Sequence, residues 1–142
     1  MPTQTLVDPA TIRAYQQTEY RVFDDPDFSL WIEQTSQPLL DLYRRYDVEC
    51  AGFITACNPR GEPLDARSNA ARQKLLEAEL NARGLRFLRG LGQPARGDWI
   101  AEPSFLVPGL TLEYARLIGR RFEQNAIVCC GKDAVPQLVL LR

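Results

Sequence analysis

Residues 50–57 read C-A-G-F-I-T-A-C, an uncharged run with a β-branched centre. A strand with one wet face alternates apolar and polar residues. An unbroken apolar run reads instead as a strand covered on both faces. The chain must therefore bury this strand from two sides, which requires a sheet with helices packed on it.

The flanking segments supply those elements. Asp8-Pro9 reads as an N-cap followed by proline at the first helical position, which predicts a helix over 9–17. Tyr20 and Val22 alternate with Arg21, then Phe28, Leu30 and Ile32 alternate with Ser29, Trp31 and Glu33. The turn cluster D-D-P-D at 24–27 joins these runs into a β-hairpin. Leu39, Leu42, Tyr43 and Tyr46 fall on one helical stripe after Ser36-Gln37-Pro38. A long helix starts near Asp65 or Ser68 and runs to Arg83, with Gly84 placed to end it. A short strand is expected over 85–88, a flexible glycine-rich segment over 89–98, and a strand over 104–107. Thr111 can cap a last helix reaching about Gln124. Strands over 126–130 and 137–141 flank Gly131-Lys132-Asp133 as a second hairpin. The order α-β-β-α-β-α-β-β-α-β-β predicts an α+β fold: a mixed, mostly antiparallel sheet of six or seven strands with about four helices. Residues 1–7 carry no pattern and read as a tail; 8–142 form one domain.

The chain has 142 residues, and at this size one real core is possible. It contains 17 basic and 18 acidic residues, a near-neutral balance that argues against a nucleic-acid or anionic-membrane binder. It contains no histidine. That absence removes Ser-His and Cys-His nucleophiles, His-ligated zinc and imidazole pH switches. The four cysteines, Cys50, Cys57, Cys129 and Cys130, lack C-x-x-C spacing and sit in apolar runs, so they read as buried reduced thiols. A redox or nucleophilic Cys57 is the alternative, with no base beside it. No signal peptide, membrane span or metal spacing is visible, and the cytoplasm is the expected location.

Polar residues concentrate at strand and helix ends. Asn69 and Arg72 lie three apart on the first turns of the long helix, close to Asn58 at the end of the core strand. Arg72 shares a stripe with Leu75, Leu76 and Leu80, so it is aimed at the protein body. There it is either an anion-binding group beside a helix N-terminus or the partner of a carboxylate such as Glu102. Gln124 and Asn125, after Arg120 and Arg121, either cap the last helix or present amides to the same cleft. In the latter reading Asn58, Asn69, Arg72, Gln124 and Asn125 bind a ligand. Glu102, just before a strand, is the best single candidate for a general base or a metal-binding carboxylate. Trp99 is either a lid or an anchor for the glycine-rich loop.

The strings F-I-T-A-x-N-P at Phe53 to Pro59, N-x-x-R at Asn69 to Arg72, E-P-S-x-L-V at Glu102 to Val107 and R-R-F-x-Q-N-A-I at Arg120 to Ile127 resemble a short bacterial family known only as a domain of unknown function. The resemblance covers the chain from about Ala14 onward. It implies a fold and a bacterial origin, and it carries no activity. Cys57 occupies the variable position of the first string, which argues against an essential thiol there.

Three functions fit these residues. One is a non-catalytic domain holding a small anion, nucleotide or peptide carboxylate with Arg72, Asn58 and Gln124. Another is a histidine-free enzyme in which Glu102, Asp98 and Arg72, with Mg²⁺, act on a phosphate-containing or nucleic-acid substrate. The third is an oligomeric or partner-binding protein that works through an exposed apolar patch around Trp31. No cofactor is named by the sequence.

Overall fold

The computed structural model describes residues 4–95 and 100–142. Among these described residues seven strands form one sheet in the order β2-β1-β4-β5-β3-β6-β7. They are β1 (Glu19–Val22), β2 (Phe28–Leu30), β3 (Ala51–Ile54), β4 (Leu88–Gln93), β5 (Glu102–Pro108), β6 (Ala126–Cys130) and β7 (Pro136–Leu140). All six pairings are antiparallel, so the sheet contains no parallel component among the described residues. The α+β class holds, with four α-helices among the described residues: α1 (Pro9–Gln16), α2 (Gln37–Tyr46), α3 (Ala66–Ala82) and α4 (Leu112–Arg121).

The run at 50–57 does what its composition requires. All four residues of β3 are buried. Ala51 and Phe53 face a core layer containing Leu39, Leu42 and Tyr43 of α2. Ile54 faces the opposite layer, with Leu76 and Leu80 of α3 and Ala115 and Ile118 of α4. The pleat sends alternate residues to opposite faces, so one uniformly apolar strand serves two cores. Cys129 and Cys130 diverge the same way, one into each layer. All four cysteines are free, and three are buried.

Helix boundaries follow their caps. Asp8, Ser36, Asp65 and Thr111 each accept a backbone N–H of the first turn they precede. Gly84, at φ +69°, follows the end of α3. Two expectations are corrected. β4 runs over Leu88–Gln93, through the stretch that reads as a glycine-rich loop. A Cβ at Gly90 would stand 2.5 Å from the Arg21 carbonyl oxygen and 2.9 Å from the Phe53 ring. Glycine there permits close backbone approach inside a strand rather than breaking it. Second, α4 ends at Arg121, and Glu123 turns into the left-handed region at φ 58°. Gln124 and Asn125 therefore lie beyond the helix, and Arg121 pairs with Glu79.

Trp31 lies just past β2 and is 40% exposed. In the N-terminal segment Val7 is buried, and the Thr5 hydroxyl donates to the Arg142 carbonyl. No helix among the described residues is long and apolar enough to cross a membrane.

Candidate functional site

β3 makes its last ladder pairing at Ile54, opposite Phe105. Beyond it the chain leaves the sheet, and buried backbone groups there need other partners. Side chains supply them. Gln73 Oε1 accepts from the Ala56 N–H at 2.7 Å, and Arg72 Nε donates to the Ala56 carbonyl at 2.6 Å. The Cys57 N–H donates to Thr55 Oγ1 at 3.1 Å, and Gln124 Nε2 donates to the Cys57 carbonyl at 3.0 Å. The Asn58 N–H donates to Asn69 Oδ1 at 2.9 Å. Each N–H and C=O of residues 56 and 57 is thus bound by a side chain.

Asn58 sits in the left-handed region at φ 49°, a conformation asparagine tolerates. Its amide is a hub: Oδ1 accepts from the Leu64 N–H and from Asn69 Nδ2, and Nδ2 donates to Glu102 Oε2 at 2.7 Å. Asn58, Asn69, Arg72, Glu102 and Gln124 therefore meet at one strand end. Arg72 does not pair with Glu102. Its Nε and Nη2 donate to the carbonyls of Ala56 and Phe122, tying the end of β3 to the end of α4. Among the described residues the Glu102 carboxylate accepts from one donor, Asn58. Burial pushes its carboxyl up, and the Asn58 bond only partly opposes this. Burial also pushes the Cys57 thiol up, which disfavours a nucleophilic thiolate.

Asn125 faces elsewhere. Its Nδ2 donates to the Tyr15 hydroxyl at 3.2 Å, and its Oδ1 accepts from Arg142 Nη1 at 3.1 Å. These three residues line a cavity of about 270 Å³ together with Asp8, Thr11, Arg60 and Gly61. It lies between α1, the 3₁₀ turn Pro59–Gly61 and the chain beyond β7. Arg60, itself left-handed at φ 57°, donates its N–H to the Glu123 carbonyl and pairs its guanidinium with the Glu123 carboxylate. Gly61 is at φ +74°, and a Cβ there would stand 2.7 Å from Asn125 Nδ2. Bare backbone is what leaves room for the amide.

The sequence expectations did not include Asp8, Thr11, Tyr15, Arg60 and Arg142. One signal was present: Asp8, Thr11 and Tyr15 recur at i, i+3 and i+7, a polar stripe on α1. Asp98 and Trp99 lie outside the described residues. Among the described residues no three Cys, Asp or Glu side chains gather as a metal site.

The polar strand end carries the four recognised strings, one from each of β3, α3, β5 and the α4–β6 junction. A family model described as "Protein of unknown function (DUF3293)" matches residues 54–127, which contain Asn58, Asn69, Arg72, Glu102, Gln124 and Asn125. No curated protein and no solved structure matches the chain. The matched segment covers more than half of the 142 residues, and the chain belongs to the DUF3293 family, a family of unknown function.

Proposed function

We propose that the protein is a non-catalytic binding domain for a small anion or carboxylate, taken into the cavity beside Asn125. The observation that carries this reading is the state of the donors there. Asn125 is buried, and its amide orients both Tyr15 and Arg142. Arg142 uses one of its five N–H donors on Asn125, and Tyr15 accepts from Asn125 while keeping its own proton to donate. Oriented donors with spare capacity are what an anion site needs. In this reading Asn58, Asn69, Arg72 and Gln124 act as positioning residues. They fix the end of β3, and through it the turn that presents Arg60 and Gly61.

Thermal unfolding with acetate, phosphate, sulfate and citrate tests the reading. At a concentration 100 times Kd, a ligand adds about 2.7 kcal/mol of stability. At least one anion should raise Tm in the wild type and much less in Arg142→Gln. Equal shifts in both proteins would refute the assignment.

A catalytic reading rests on Glu102, whose carboxyl is pushed up by burial and held by one amide. In that reading Glu102 is the base of a histidine-free enzyme acting on a phosphate-containing or nucleic-acid substrate with Mg²⁺. Turnover of a nucleotide or nucleic acid that Glu102→Gln abolishes would support it over simple binding.

The bacterial cytoplasm is the proposed setting. The free cysteines support a reducing compartment. Burial holds the thiols of Cys129 and Cys130 up at about 11 and about 12, so they remain protonated and apolar. Recovery of the native protein from an oxidising compartment with its thiols modified would overturn this.

A further inference from the structure

The cavity wall carries a charge that a simple anion site does not need. Asp8, the N-cap of α1, lines it beside Thr11 and Tyr15. Its Oδ1 accepts from the Thr11 N–H and its Oδ2 from the Thr11 hydroxyl, each at 3.0 Å. These bonds hold its carboxyl below the usual carboxylate range, so the charge is fixed at neutral pH. They occupy two of its roughly four acceptor positions and leave the others open. Asp8 and Tyr15 are seven residues apart, which separates their Cα atoms by about 10 Å along the helix. One wall therefore presents a carboxylate at the start of α1. The Tyr15–Asn125–Arg142 group presents donors and a guanidinium.

A bare anion would gain from Arg142 and be repelled by Asp8. A bare amine would meet the reverse. A molecule carrying both charges complements both groups. The cavity is about 270 Å³ and partly open to solvent. That is the scale of a small metabolite rather than a folded partner.

We propose that the ligand is a small zwitterion of the amino-acid class, with its carboxylate at Arg142 and the Tyr15 hydroxyl and its ammonium at Asp8. The assignment rests on the anion-binding reading above and specifies it. Discrimination by Asp8 separates this ligand class from ordinary carboxylates.

The test is calorimetry on the full chain with the standard free amino acids and with β-alanine and 5-aminopentanoate as longer spacings. Each is compared with its N-acetyl form, which keeps only the carboxylate, and its amide, which keeps only the ammonium. At least one free amino acid should bind about tenfold or more tightly than either blocked form. Asp8→Asn keeps the helix cap, because asparagine caps as well as aspartate. It should reduce affinity for the free amino acid about tenfold and, by removing a repelling charge, raise rather than lower affinity for the N-acetyl form. Arg142→Gln should weaken both. If the N-acetyl form, or an inorganic anion, binds as tightly as any free amino acid, the zwitterion assignment is wrong and the anion site stands. If no compound and no anion binds at millimolar concentration, both readings fail.

Discussion

Replacing Arg72 separates a ligand-binding arginine from a structural one. Its Nε and Nη2 each donate to a backbone carbonyl, at Ala56 and at Phe122. Hydrogen bonds from a charged donor contribute about 1.5–3 kcal/mol each. The side chain is half-buried, so water replaces part of that loss and the lower end applies. Arg72→Ala should cost about 3 kcal/mol, the sum of two bonds at that lower end. For a chain of this size 1 kcal/mol corresponds to about 3 °C, so Tm should fall by roughly 10 °C. Arg72→Lys retains the charge, but one ammonium cannot reproduce the guanidinium fork, and about half the loss should remain. Urea unfolding followed by circular dichroism reads both variants, with the midpoint falling at an unchanged slope. A loss below about 1 kcal/mol in Arg72→Ala, less than one such bond, would refute the clamp. If small-anion affinity collapsed at the same time, the guanidinium would be a ligand group.

Three further substitutions test other parts of the fold and site. Gly90→Ala places a methyl 2.5 Å from the Arg21 carbonyl, which cannot swing aside; a loss of about 2–3 kcal/mol in urea unfolding is expected, and a loss under about 0.5 kcal/mol would refute the packing of β4. Gly61→Ala should cost about 1–2 kcal/mol from its positive φ and should also push the Asn125 amide into the cavity. Unchanged ligand affinity in that variant would argue against the cavity as the site. Glu102→Gln tests the carboxyl through pH. The folded state favours the protonated form, whereas the unfolded carboxyl titrates near about 4.3. Below that value burial has no charge to penalise. As pH rises through the elevated folded pKa the charged form becomes a cost, which then stays constant. Glu102→Gln should therefore be more stable than the wild type at pH 7, with the difference disappearing on acidification below about 4. Denaturation midpoints across pH measure this, and a pH-independent difference would refute it.

The fold was legible wherever burial has a periodic signature. Continuous apolar residues marked β3, alternation marked β1 and β2, and the cap residues Asp8, Ser36 and Thr111 marked helix starts. β4 was misread because its signal is local while its cause is not. Gly90 and Gly92 resemble loop glycines in the chain, and only the neighbouring Arg21 backbone and Phe53 ring show why the strand needs Gly90. The end of α4 was missed for a related reason. R-F-E-Q-N is compatible with helix, but Gln124 gains a buried bond to the Cys57 carbonyl by leaving it, and Asn125 gains Tyr15.

The polar residues show a sharper division. That Asn58, Asn69, Arg72, Glu102 and Gln124 would converge could be read from their positions at strand and helix ends. What they bind could not. Most of their partners are backbone carbonyls and N–H groups, which every residue possesses and no motif advertises. A guanidinium pointing inward looks the same in sequence whether it meets a phosphate, Glu102 or the Ala56 carbonyl. The cavity is the reverse case. Tyr15 and Asn125 are 110 positions apart, and Arg142 reaches them from the last residue of the chain. No spacing rule joins such residues. The two features are nevertheless one construction. Asn69, one of the side chains that replace the lost ladder after Ile54, binds the left-handed Asn58, while Glu123 binds the left-handed Arg60, and Gly61 then lies against Asn125. Weakening the clamp should therefore perturb the cavity, whereas perturbing Arg142 should leave the clamp intact.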